Sequence, residues 1–263
     1  MTFALRTISA AALLLTVVAP AMAEDDLSTK QYVLDLGAGL MYQPKYPGAD
    51  EMIAVPFPLI SVGRFFIPGI GDMIDSDAPL RKFSVYPSFG FNGKRESSDS
   101  NEIKGTDDVD WALELGIGMA YRYDWIRGFV EVRQGFNGYS GQVADFGVDF
   151  IANPTEDLQL MVGPRASWGS ADYMKTYFGV SAKEAAVPGS ILDEFDANPG
   201  FNRLGVAATA SYGITDNTTF HVRAGWDRLV GDAADSPIVK EGSEDQYYVG
   251  AGISYRFGFD LID

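Results

Sequence analysis

Few residues in this chain have the type and spacing to do chemistry. His221 is the one histidine in 263 residues, and cysteine is absent. Disulfides, thiolate nucleophiles and His-rich metal centres are therefore excluded. The acidic clusters Asp72-Asp75-Asp77, Asp107-Asp108-Asp110 and Asp232-Asp235 carry the oxygen ligands that Ca²⁺ takes. None has the twelve-residue spacing of an EF-hand, however, and an acidic run reads first as a solvated loop. Such loops could be bridged by divalent cations to lipopolysaccharide phosphates. Gly37-x-Gly39 and Gly116-x-Gly118 lie inside apolar alternations, where glycine admits close packing, and not at a strand-to-helix turn that would cradle a phosphate. With 36 Asp plus Glu against 20 Lys plus Arg, the net charge of −16 has the wrong sign for a nucleic-acid partner. No cofactor and no metal are expected.

The elements that would position any site begin after residue 23. Arg6, the apolar stretch Ala10 to Val18 and the Ala21-Met22-Ala23 cleavage pattern predict a secretory signal peptide over 1–23 and an exported domain over 24–263. No later run of 18 apolar residues exists; the longest candidate, Met52 to Gly63, is interrupted by Pro56 and Pro58. What remains is a period of two. From Trp111 to Tyr123 every odd position is apolar or aromatic, and every even one is Ala, Gly, Glu or Arg. The same alternation recurs at 32–42, 83–92, 126–137, 145–150, 158–168, 203–212, 220–227 and 247–257. With the Pro-interrupted segment 52–66 that makes ten strands; twelve is the alternative, because Phe65 to Leu80 fits neither a strand nor a short turn.

Period alone does not say which face is buried. The strands exceed the ~5–6 residues usual in soluble sheets and match the roughly 9–11 of a tilted membrane strand. The polar face mixes Gly with charges of both signs, and Trp111, Trp125, Trp168 and Trp226 fall near strand ends, where an interfacial girdle would place them. These features predict an all-β protein, a transmembrane antiparallel up-and-down β-barrel with apolar rows toward lipid. Short connections at 124–125, 153–156 and 215–217 then fall on the periplasmic side, and long ones at 93–110, 171–202 and 230–244 become external loops. Lumen positions hold Arg122, Arg127, Arg133, Arg165, Arg203, Arg223 and Arg256 against Asp35, Glu114, Glu131, Asp145, Asp149 and Asp227. Such a balance predicts a lumen largely filled by paired charges, with at most a narrow pore. His221 shares this parity, so it is expected to sit structurally beside Asp227 or other lumen charges, not to catalyse hydrolysis at the lipid face.

Tyr173-Met174-Lys175-Thr176-Tyr177-Phe178-Gly179-Val180-Ser181 resembles the YFGVS-bearing segment of the MltA-interacting protein (MipA/OmpV) family. Leu229-Val230-Gly231-Asp232-Ala233-Ala234-Asp235-Ser236-Pro237-Ile238-Val239 is similar to that family's GDAADSPIV segment. Pro44-x-Tyr46-Pro47-Gly48-Ala49 resembles its N-terminal turn, and Tyr255-Arg256-Phe257 its closing strand, which here continues through 258–263. The resemblance implies an outer-membrane β-barrel in contact with lipid and lipopolysaccharide; no enzymatic activity is expected, because His221 falls on the lumen face. It further implies a scaffold linking a lytic transglycosylase to a penicillin-binding synthase; a porin-like channel for small solutes is the alternative, and a lipid-modifying barrel enzyme a third. The binding candidates it supplies are Tyr173, Tyr177, Phe178, Gly179, Asp232, Asp235, Ser236 and Pro237. Loop parity places these on the outer side, away from periplasmic enzymes.

Overall fold

Alternation is converted into wall and interior by the pleat, which sends successive side chains to opposite faces. A computed structural model describes residues 27–67, 71–75 and 83–261; the expected leader lies outside these residues. They form β1 (Tyr32–Pro44), β2 (Met52–Ile67), β3 (Gly71–Asp75), β4 (Phe83–Asn92), β5 (Ala112–Tyr123), β6 (Ile126–Asn137), β7 (Gln142–Ala152), β8 (Leu158–Gly169), β9 (Gly200–Thr215), β10 (Thr218–Leu229) and β11 (Asp245–Phe259). Hydrogen bonding runs β3-β2-β1-β11-β10-β9-β8-β7-β6-β5-β4 in one sheet. β3 approaches β4, so the sheet curls into a nearly closed barrel.

Ten of these strands are the ten read from the sequence. The eleventh, β3, is a five-residue piece paired antiparallel to the end of β2. By parity alone, an added strand in 52–81 would exchange the inner and outer sides. It does not, because the antiparallel pairings from β4 round to β2 make β3 and β4 run in the same direction. Pro56 and Pro58 suit β2 because it pairs with β1 on one edge only over 52–63, among the described residues.

The faces are sorted as expected. Leu113, Leu115, Ile117, Met119, Tyr121 and Tyr123 are exposed, whereas Ala112, Glu114 and Ala120 between them are buried. Phe89 and Phe91 on β4, Leu204 and Val206 on β9, and Val249 and Ile253 on β11 extend the same apolar belt. A belt of this extent far exceeds the few hundred Å² that a water-soluble monomer exposes, and lipid is what covers it. Trp111 stacks on Phe91 at the outer end and Trp125 on Phe150 at the inner end, with ring centroids 6.3 and 5.8 Å apart. The residues beyond Phe257 complete the β1–β11 seam. Tyr32 pairs with Phe259 and stacks on it at 5.4 Å, and the Gln31 amide donates to Asp260 at 2.8 Å.

Inside, two aromatic rings lie over glycines directly across from them. Tyr86 faces Gly118 and Phe129 faces Gly147, and a Cβ at either glycine would collide with the ring. Gly118→Leu is therefore expected to lower stability by about 1–3 kcal/mol, the usual cost of overpacking. Denaturant midpoints of the protein refolded in detergent check this; an unchanged midpoint would mean that the ring does not occupy that place.

Candidate functional site

Most of the lumen-facing charges form one connected array across β5–β10, joined by Tyr86 and Ser88 of β4. Arg133 is its hub, binding Glu114 at 2.9 Å, Glu131 at 2.8 Å and Asp145, while Ser88 accepts from its guanidinium at 3.2 Å. Arg203 reaches Asp145 at 3.4 Å and Asp227 at 3.8 Å. Arg127 (3.3 Å) and Arg165 share Asp149, and both guanidiniums lie over the Phe129 ring at 5.2 Å. Arg256 binds Asp35 at 2.7 Å. Among the described residues, two of the seven expected cations take no carboxylate. Arg122 donates to the Asp124 carbonyl at the inner end, and Arg223 lies 5.7 Å from the Tyr248 ring centroid. Phe129 could have been found by parity, since it falls between Arg127 and Glu131 on β6.

His221 departs from its expected company. Its ring nitrogens bond Ser211 at 3.0 Å and Ser254 at 2.8 Å, on the strands flanking β10. Asp227 lies six residues further along β10, about 20 Å away at strand spacing, and faces Arg203 instead. Among the described residues the ring hydrogen-bonds no carboxylate, and it faces the lumen.

Above this array the outer connections do not hang as separate loops. Helices α1 (Ala171–Phe178), α2 (Ala182–Ala185), α3 (Asp232–Asp235) and α4 (Pro237–Glu241) pack with 45–51, 93–111 and 138–141 into a cap with two apolar cores. One core gathers Tyr139, Met174, Tyr177, Phe178, Ala233 and Val239. The other gathers Tyr46, Ile103, Val180, Leu192 and Ile238. Hydrogen bonds tie these segments together: the Ser236 hydroxyl donates to the Phe178 carbonyl at 2.6 Å, Arg95 donates to the Tyr177 carbonyl at 3.0 Å, and within the β8–β9 connection Val180 and Phe195 exchange two 2.8 Å bonds. A capping box of Ser181 and Glu184 starts α2, and Glu184 also accepts from the Asp107 amide at 2.7 Å. Gly48 and Gly231 sit at φ 95° and 57°, which side-chain-bearing residues adopt rarely, and each turns its loop into the cap.

Tyr139 joins cap to lumen. Its hydroxyl donates to Glu114 at 2.6 Å, and its ring meets Tyr173 and Tyr177 edge-on at 5.2 and 5.5 Å. Thus α1 sits over the charged lumen and not beside it. No sequence period marks Tyr139 or Arg95, because both lie in connections.

The eight candidate residues are brought into this one cap. Tyr177, Phe178 and Ser236 are buried; Tyr173, Gly179, Asp232 and Pro237 are half-buried; Asp235 is exposed. The acidic clusters are engaged locally. Asp232 accepts from the Asn198 amide and side chain at 2.8 and 2.9 Å, Asp108 from the Ser97 amide at 2.7 Å, and Asp110 pairs with Lys94 at 3.2 Å. The side chains of Asp72, Asp75 and Asp77 lie outside the described residues.

Residues 36–257 match the model of a family described as MltA-interacting protein MipA. The chain belongs to this family. A curated relative, outer membrane protein Omp26La of Vibrio anguillarum, is 26% identical over 176 residues, which are 62% of this chain and 61% of that protein, so the match spans less than two thirds of the relative. The NanC porin aligns over 85% of this chain and 98% of its own at 10% identity and TM-score 0.36. OprD of Pseudomonas aeruginosa aligns over 86% and 65% at 15% identity and TM-score 0.34. Family membership and the lipid-facing belt make this an outer-membrane β-barrel.

Burial pushes Tyr173 up to about 12 despite the nearby Arg203, and it also raises Tyr177 and Tyr139. A phenol whose folded pKa exceeds its unfolded value of 10.0 keeps its full contribution below pH 10. That contribution is lost as pH rises through 12. The cap is therefore expected to loosen between pH 10 and 12, with tyrosinate absorbance and near-UV circular dichroism changing together while far-UV strand signal persists. Tyrosinate appearing at the pH of free tyrosine, without a near-UV change, would contradict the buried cluster.

Proposed function

We propose that this protein is a non-enzymatic interaction barrel for enzymes that remodel the cell wall. The family description names MltA as an interacting protein, and the resemblance implies that the partners are a lytic transglycosylase and a penicillin-binding synthase. The observation that carries this reading is the cap. Both long family motifs are consumed in holding the outer mouth covered, which favours a rigid platform over a wide diffusion pore. Periplasmic partners then engage the inner rim, made of the turns at 124–125, 153–157 and 216–217 and the joined segments at Gln31 and Asp260. The eight motif residues serve indirectly, with Tyr173, Tyr177, Phe178, Gly179 and Ser236 shaping the cap, and Asp232, Asp235 and Pro237 nearer its surface toward lipopolysaccharide. Residues 1–23 direct export.

The second reading, a narrow channel for small solutes, is favoured by one feature, the water-facing guanidiniums inside the barrel. Recovery of a lytic transglycosylase with the full-length protein from detergent extracts, weakened by charge reversal at the inner turns and unaffected by Asp235→Asn, is the expected outcome. Failure to recover any murein enzyme, together with stable conducting steps in planar bilayers, would replace the platform with the channel.

A further inference from the structure

Numbers of lumen charges hide how they are presented. Seven basic and six acidic side chains nearly cancel, yet water does not meet them equally. The Arg203 side chain is 42% exposed, those of Arg256 and Arg127 are 31% and 30%, and Arg223 is exposed as well. None of the six carboxylates exceeds 23%, and Asp149 and Asp227 are at 2% and 9%. The acids lie against the wall and these four guanidiniums stand in front of them, whereas Arg133 and Arg165, at 10% and 20%, are held among the acids. Arg203 reaches the Asp227 carboxylate at 3.8 Å, and Arg223 lies on the same face of the same strand, four residues along β10 from Asp227. Arg165 shares Asp149 with Arg127, and among the described residues Arg223 has no carboxylate partner.

We infer that the barrel interior binds a small multivalent oxyanion, a polycarboxylate or a phosphate. Arg223 supplies a guanidinium that has no carboxylate partner among the described residues, and Arg203, Arg256 and Arg127 supply the other water-facing ones. Guanidinium presents paired N–H groups in the geometry that carboxylate and phosphate accept. Within a low-dielectric wall its field is screened less than at a surface. The cap covers the outer end, so the anion enters from the periplasmic end. A chain of net charge −16 repels anions from its outside, so a bound oxyanion reports on the interior. This site needs no protein partner and stands whether or not the platform role holds.

The test is calorimetric titration of the full-length protein, refolded in a non-ionic detergent, with citrate and separately with inorganic phosphate. Expected is saturable 1:1 binding that weakens as salt is raised and falls at least tenfold in Arg223→Glu. Arg223→Gln should give an intermediate loss, while Lys183→Gln on the exposed cap changes nothing. Spermidine, a cation of similar size, should not bind in the same place. Retained far-UV signal and denaturant midpoint in the Arg223 variants separate loss of binding from loss of fold. Absence of binding by both anions, or equal binding by Arg223→Glu, would overturn the inference.

Discussion

A bilayer offers no water to an amide or a charge, so each polar group of a membrane-crossing chain must find its partner within the protein. Every other feature of this molecule follows from that restriction. Backbone groups are satisfied by a sheet curled until its edges approach. Side chains are sorted by the pleat, apolar rows outward and ionised ones inward. Most of the charges turned inward are therefore paired, because removing one partner of a buried ion pair commonly costs about 3–5 kcal/mol. Arg133, with three carboxylates on one guanidinium, is the densest expression of this pressure.

The cap belongs to the same logic. Glu114 is satisfied by Arg133, by Asn92 at 2.7 Å and by Tyr139 from above. The tyrosine cluster therefore closes an electrostatic array and begins an apolar core at once. A family motif such as YFGVS is then a packing unit, its Tyr177 and Phe178 filling the cap while their carbonyls hold Arg95 and Ser236. Covering the outer mouth gives the molecule a direction, with packed loops toward the exterior and short turns toward the periplasm.

The wall was legible because period two is a strong signal over ten or more residues. Residues 111–123 alone fix strand, face and register parity, and the lumen charges follow from the same count. The segment 52–81 was harder, because β3 is too short to alternate and its direction depends on pairing with β2. The cap was legible only as family motifs. Its contacts, such as Tyr46 with Ser100 or Gly48 with Gln246, join residues 54 and 198 positions apart, and no local pattern encodes such separations. His221 shows the remaining gap: parity gave its face correctly, but its serine partners were set by the registers of β9 and β11.

The most direct test of the sorting uses the absence of cysteine from the chain. Single cysteines placed in turn at residues 113 through 121 of β5, labelled with a fluorophore and reconstituted in vesicles containing brominated lipid, report which positions meet acyl chains. Strong quenching at 113, 115, 117, 119 and 121, with weak quenching at 114, 116, 118 and 120, is the result this structure predicts. Uniform quenching, or the opposite alternation, would contradict a barrel whose ionised face is its interior.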